Sequence, residues 1–281
     1  MYEVKEGKLV LKYGIIKQGL IAVASGKGGV GKSTVTVNLA LALQQLGHQV
    51  GIIDADIHGF SIPRIIGLKD KPMVYNEKEI VPPAEKGIKV MSIGSFVQEA
   101  DPVIWRAPLL MGVLQQFMED VHWEELDYLL LDLPPGTGDM ALNIMQRLPH
   151  TQMLVVTTPQ ITATQVAGRI AKVAEKLDAE LLGVIENMSF YQCPHCAQRE
   201  YIFGQGGGKK LAAQLKTELL GELPLLPAIR EGGDAGNPLV LSLPDSEATA
   251  VYLDIAGKIR GRVKEFDSAI KPIVLKEEPE K

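Results

Sequence analysis

Cysteine is scarce in this 281-residue chain: Cys193 and Cys196 are the only two. A single close pair excludes a disulfide framework and suits a reducing compartment, with a metal or redox role for the thiols. Long apolar runs are missing too. No stretch approaches the roughly 18 residues of a membrane-spanning helix. The opening MYEVKEGKLVLKYGIIKQG is mixed and charged, without the apolar stretch of a secretory signal. A cytoplasmic location is therefore expected. Positive charge is not in excess, the net being −5, so overall charge does not draw this chain to nucleic acid. Repeats and Gly-, Ser- or Pro-rich linkers are also lacking, so nothing divides the chain into separate domains. What remains is an ordinary globular composition, 46% hydrophobic and 22% charged, long enough to bury a core without staples.

Short apolar runs alternate with helical patterns. Strands are expected at Leu20–Ala24, Gln49–Asp54, Ile88–Ile93, Tyr128–Leu133, Met153–Thr157, Leu182–Glu186 and Leu219–Leu223. They are apolar throughout rather than alternating, which marks strands covered on both faces in a parallel sheet. Helices are expected at Lys32–Leu46, with Val35, Leu39, Leu43 and Leu46 on one stripe and Gly47 as stop. Others are expected at Ala107–Asp120, Met140–Arg147, Thr162–Leu177, Gly207–Leu215 and Ser246–Phe266. The predicted fold is α/β: a single doubly wound, mostly parallel sheet flanked by helices. It divides into an arm at 1–19, a main domain at 20–268 with a Cys-x-x-Cys loop at 189–203, and a solvated tail at 269–281.

The strongest motif is IAVASGKGGVGKST, where Gly26 to Ser33 match G-x-x-x-x-G-K-[ST] between a strand and a helix. Gly28, Gly29, Val30, Gly31, Lys32, Ser33 and Thr34 are the expected nucleotide cradle, because amides freed of Cβ clashes can curl around phosphate oxygens. Lys32 is expected to reach the β- and γ-phosphates and Ser33 to ligate Mg²⁺. Lys27, a second lysine in the loop, is either a solvated charge or one that faces a partner's nucleotide. Acids end two strands: Asp54 and Asp56 in GIIDADIHG, and Asp132 in DYLLLDLPPGTGD. Asp132 has the form of a Walker B aspartate, and Asp54 is a further Mg²⁺ candidate. Asp54 and Asp56 lie two residues apart, so one of them is expected to face the γ-phosphate and position water. Gly136, in the turn after Asp132, is a candidate γ-phosphate sensor through its N–H. The late strand end GVIENMSF lacks the Asn-Lys-x-Asp of guanine readers, so ATP is the expected nucleotide.

SGKGGVGKST resembles the deviant Walker A loop of the nitrogenase iron protein and the septum-site and partition ATPases. Together, DADIHG, IWRAP, DLPPGTGD, ENMSFYQCPHC and IFGQGGG resemble the Mrp/ApbC-type iron–sulfur cluster carrier ATPases, over roughly residues 20–260. That resemblance implies a homodimer with ATP sites near the interface and Lys27 reaching the other subunit's nucleotide. It implies that Asn187 contacts adenine and that Cys193 and Cys196 bind the cluster. The implied partners are apo iron–sulfur proteins and cluster donors or scaffolds, with neither membrane nor nucleic acid. Two positions depart from the usual pattern: Phe60 stands where Pro is common, and Ala107 where Gly is common.

One Cys-x-x-Cys supplies two thiolates, whereas an iron–sulfur cluster or a tetrahedral Zn²⁺ is held by four. A two-fold dimer doubles the pair and makes a four-sulfur site between subunits. The expected cargo is an iron–sulfur cluster, [4Fe–4S], with zinc as an alternative. A thioredoxin-like redox pair and a third ligand from His195 are competing readings of the same residues. A partition or positioning ATPase that binds DNA or membrane is the alternative function.

Overall fold

A computed structural model describes residues 3–57, 59–75, 79–96, 107–136, 139–148, 150–160, 174, 179–264 and 266. The elements in chain order are β1 (Glu3–Lys5), β2 (Lys8–Leu11), β3 (Gly14–Ser25), α1 (Lys32–Gln45), β4 (Val50–Asp54), α2 (Ile62–Ile66), β5 (Met73–Tyr75), β6 (Glu79–Val81), β7 (Ala84–Glu85) and β8 (Ile88–Ser92). A 3₁₀ turn (Ile93–Phe96) precedes α3 (Ala107–Glu119), β9 (Glu124–Asp132), α4 (Asp139–Arg147), β10 (Thr151–Thr157), β11 (Leu181–Glu186), β12 (Tyr191–Gln192) and β13 (Arg199–Glu200). The chain ends with α5 (Gly207–Gln214), β14 (Leu219–Glu222), α6 (Pro227–Asp234), α7 (Leu239–Ser242) and α8 (Glu247–Arg260).

Among the described residues a 10-stranded sheet has the order β14-β11-β10-β3-β9-β4-β8-β7, with β2 on β3 and β1 on β2. The strands from β14 to β8 run parallel, and β7, β2 and β1 are antiparallel additions. Every expected core strand is present. Along each, alternate residues enter opposite apolar layers, because successive Cβ atoms leave opposite faces. Leu20, Ala22 and Ala24 of β3 join Leu110, Phe117 and Ile144 on the α3–α4 face. Ile21 and Val23 join Leu39, Leu43, Tyr252 and Ile255 on the α1–α8 face. Each such fully buried aliphatic side chain contributes about 1.5–3 kcal/mol.

Three expectations need correction. Helix α1 is not a one-sided stripe: Val35 through Leu43 are all buried, because the helix lies between the sheet and α8, while Leu46 is 36% exposed. The core strand starts at Gly14, not Leu20, since Leu9, Val10 and Leu11 of β2 pair with its first residues. The last helix stops at Arg260, where Gly261 caps it, and does not reach Phe266. Instead Phe266 is buried in the opposite apolar layer, its N–H on the Gly7 carbonyl at 3.4 Å. The helix expected at Thr162–Leu177 lies outside the described residues apart from Ala174, and the tail from residue 269 lies outside them entirely.

The topology places the site. From β3 the chain winds outward through β4 and β8, returns to insert β9 beside β3, then winds out the other way through β10, β11 and β14. The reversal falls at β3, and open parallel sheets bind ligands beyond the carboxyl ends at such a point. Register brings the strand ends level there: Asp54 opposes Asp132, and Ser25 opposes Val156.

Candidate nucleotide and thiol sites

The loop between β3 and α1 folds as its glycines require. Gly29 (φ +76°) and Gly31 (φ +80°) are left-handed, a region that costs other residues roughly 1–2 kcal/mol. A Cβ on Gly31 would stand 2.3 Å from Asn187 Nδ2, so that position is closed on two counts. Around Gly29 there is open space within 4 Å, and Gly28 and Gly29 are exposed. Gly31 caps α1 with no side-chain acceptor on the helix amides. The result is an open backbone cradle at a helix N-terminus, the shape and polarity that bind phosphate. Thr34 lies at the start of α1, its carbonyl accepting from Asn38 Nδ2 at 2.9 Å.

Beneath the cradle lies a buried charge cluster. Lys32 Nζ is 2.7 Å from Asp132 Oδ1 and 3.7 Å from Asp56 Oδ2. The closer contact is a buried ion pair that helps hold Asp132 ionised. Asp132, fully buried, accepts from Ser33 Oγ at 2.5 Å and Thr36 Oγ1 at 3.1 Å. Burial raises its pKa, and Lys32, Ser33 and Thr36 oppose the rise. Asp54 faces elsewhere, accepting from Ser92 Oγ at 3.2 Å, Ile62 N at 3.4 Å and Asp56 N at 3.2 Å. Burial, with the Asp132 charge beside it, pushes its carboxyl up to about 8. The two acids of DADIHG therefore diverge: Asp56 turns to the loop lysine and Asp54 to the β8 end.

The cluster fits a nucleotide with its cation. A buried ammonium sits under an open amide cradle, beside a hydroxyl and carboxylates, the hard oxygen donors that Mg²⁺ takes. Ser33 and Asp132 are already in contact and would hold the ion, with Asp54 next to Asp132 in register.

Three expected residues are engaged within the chain. Asn187 Nδ2 donates to the Val30 carbonyl at 2.8 Å and braces the loop. Gly136 (φ +94°) donates its N–H to the Ser25 carbonyl at 2.8 Å. Lys27 Nζ donates to the amide oxygen of Gln160, just beyond β10. Sequence reasoning missed Thr36, Ser92 and Gln160. Thr36, one helical turn from Lys32, was open to discovery by spacing. Ser92 and Gln160 reach the site only through strand order.

The thiols lie on the connection that leaves β11 through Asn187. Here β12 and β13 form a small hairpin rather than an irregular loop. Its turn closes with Cys193 N on Gln198 O at 3.0 Å and Ala197 N on Cys193 O at 2.9 Å, with Ala197 at φ +57°. The His195 amide, then that of Cys196, donates to the Cys193 sulfur and lowers its pKa. Cys193 is half-buried and Cys196 exposed, both free. Among the described residues no group of three or more His, Cys, Asp or Glu side chains could hold a metal ion, so His195 does not complete a site with the pair. Arg199 anchors the hairpin, stacked 4.2 Å over Phe190 and paired with Glu247 of α8. Below it, buried Glu186 accepts from Ser189 Oγ at 2.6 Å and from the Gly208 amide of α5, the third glycine of the GGG in IFGQGGG.

Comparison with known proteins agrees with this geometry. An iron–sulfur cluster carrier protein of Mycobacterium bovis is 51% identical over 231 residues, 80% of this chain and 60% of that protein. One from Escherichia coli is 44% identical over 247 residues, 88% of this chain and 67% of that protein. The chain thus spans about 60% of the length of the first of these relatives. A nucleotide-binding protein of Archaeoglobus fulgidus, solved with ADP and with cobalt found, is 39% identical, with a TM-score of 0.71 over 83% of this chain and 90% of that one. Residues 16–260 match the family described as ParA, NUBPL iron-transfer P-loop NTPase. With this match, the glycine cradle over a buried lysine and the paired thiols, the chain belongs to the Mrp/ApbC-type branch of the ParA/NUBPL family of P-loop NTPases.

Proposed function

We propose that this chain is an ATP-binding and ATP-hydrolysing homodimeric carrier. It holds an iron–sulfur cluster, [4Fe–4S], between Cys193 and Cys196 of two copies, in the cytoplasm, and hands it to apoproteins. The observation that carries the reading is the thiol hairpin. Two free sulfurs sit at an exposed, hydrogen-bonded tip, with no third ligand among the described residues. That is half of a four-thiolate site, on the same carboxyl edge of the sheet as the phosphate cradle. The exposed tip favours handover, because incoming client thiolates can displace Cys196 and Cys193 one at a time. The net charge of −5 favours protein clients over an anionic lipid or nucleic-acid surface.

In the nucleotide site, the amides of Gly28 to Thr34 would cradle the phosphates, and Lys32 would exchange its carboxylate neighbours for β- and γ-oxygens. Mg²⁺, when bound through Ser33 and Asp132 with Asp54 adjacent, neutralises developing charge on the phosphates. Asp56, buried and already turned to Lys32, would orient the attacking water. Water oxygen bonds to the γ-phosphorus, the bond to the β–γ bridging oxygen breaks, and ADP leaves with that electron pair. Lys27 of the second copy would meet the charge on that oxygen. Asn187 would lie against the base, and Gly136 would release Ser25 to bond the γ-phosphate.

Anaerobic reconstitution with iron and sulfide tests the carrier reading. A charge-transfer chromophore is expected, with about four irons per dimer. Cys193→Ala/Cys196→Ala should abolish it while leaving ADP binding unchanged. Full colour in that double variant refutes the site. Zinc in place of iron and sulfide points to a structural metal bridge.

A further inference from the structure

We propose that Gln160 is a positioning residue for Lys27, holding the lysine in its own subunit until a second, nucleotide-loaded copy draws the ammonium away. The proposal rests on the reading above, in which Lys27 acts across a dimer. Its basis is the contact between Lys27 Nζ and Gln160 Oε1, which joins residues 133 positions apart. Parallel register makes the contact: Ser25 opposes Val156, so the chain leaving β3 and the chain leaving β10 emerge side by side.

The acceptor is held from behind. Gly207, the first residue of α5, packs so closely under Pro159 that a Cβ there would lie 2.3 Å from the Pro159 carbonyl oxygen. The next amide, Gly208 N–H, is fixed on Glu186 at the end of β11. The clamp on Lys27 is therefore buttressed by the segment that follows the thiol hairpin. The chemistry of the acceptor suits release. A neutral amide oxygen bonds an ammonium less strongly than a carboxylate, so a triphosphate on the facing copy outcompetes it. Lys27 is half-exposed, so it can swing without unpacking the core.

The test is nucleotide-driven dimerisation of the full chain, measured by sedimentation with a non-hydrolysable ATP analogue, alongside ATP hydrolysis against protein concentration. Gln160→Met keeps length and removes the acceptor; Gln160→Glu makes it a carboxylate. Gln160→Met should lower the concentration for half-maximal dimer and activity by about three- to tenfold, the range of one net hydrogen bond. Gln160→Glu should raise it by a similar factor, and neither should change ADP affinity for the monomer. In a Lys27→Ala background both shifts should vanish. Shifts of the same sign, no shift, or shifts that survive Lys27→Ala overturn the proposal. If the wild-type chain does not dimerise with nucleotide, or Lys27→Ala hydrolyses ATP at full rate, the dimeric reading falls first and the clamp with it. If Lys27→Ala is inactive while the Gln160 variants behave as wild type, the clamp alone is wrong.

Discussion

Replacing Gly31 with alanine tests how tightly the glycine cradle is specified. Gly31 holds φ +80°, which costs a Cβ-bearing residue about 1–2 kcal/mol. The new methyl would stand 2.3 Å from Asn187 Nδ2, far inside contact distance, so the amide must leave. Asn187 then loses its 2.8 Å bond to the Val30 carbonyl in a buried setting, about another 1 kcal/mol. The sum is about 2–3 kcal/mol, or about 5–10 °C in Tm at roughly 2–4 °C per kcal/mol for a domain of this size. Thermal and chemical denaturation of the nucleotide-free protein read the loss, and ADP titration reads the damage to the cradle. Asn187→Ala relieves the clash, so Gly31→Ala/Asn187→Ala should cost about 1 kcal/mol less than the sum of the singles. If Gly31→Ala melts within 1 °C of wild type, or the pair is simply additive, the account of the loop is wrong.

Thr36→Val removes the one hydroxyl proton shared between buried Asp132 and the Lys32 carbonyl; a stability loss of about 1–2 kcal/mol, read by urea denaturation, is expected, with ADP binding weakened as the carboxylate shifts. Asp54 supplies a pH test. Its folded pKa of about 8 lies above the ordinary carboxyl value, so the folded state holds a proton that the unfolded chain has lost. Stability of the nucleotide-free protein should fall as pH rises from about 4 to about 8, then level, and Asp54→Asn should flatten that slope in denaturant titrations at pH 5, 6, 7 and 8. Gly207→Ala drives a methyl into the Pro159 carbonyl and should lower Tm sharply. Gly257→Ala on α8 meets open space within 4 Å and should raise stability by about 0.5–1 kcal/mol.

The core strands were legible because runs such as LLL before Asp132 and MLVV before Thr157 are apolar at every position, and only strands covered on both faces tolerate that. Small pieces escaped. The β1–β2 and β12–β13 hairpins, α6 and α7 are too short for periodicity to register, and they owe their shape to neighbours already in place. The end of α8 was misjudged for a related reason. Val263 and Phe266 continue the helical spacing in sequence, yet Phe266 crosses to the other side of the sheet after Gly261. Spacing alone does not tell one apolar layer from another.

The sequence alone determined the α/β class, the glycine cradle with Lys32 and Ser33, the acids Asp54, Asp56 and Asp132, and the one pair of thiols. These are local patterns, where backbone freedom, charge and spacing carry the meaning. Tertiary structure decided which acid faces which group. Asp56 turns to Lys32 while Asp54 turns to Ser92, because the chain bends where β4 ends and β8 lies alongside. It likewise decided that Asn187 braces Val30, that Thr36 and Ser33 share Asp132, and that Gln160 holds Lys27. Each of these pairings except the shared helix of Thr36 and Ser33 joins residues far apart along the chain. Strand order and register, set by burial of two apolar layers, are what bring them within reach.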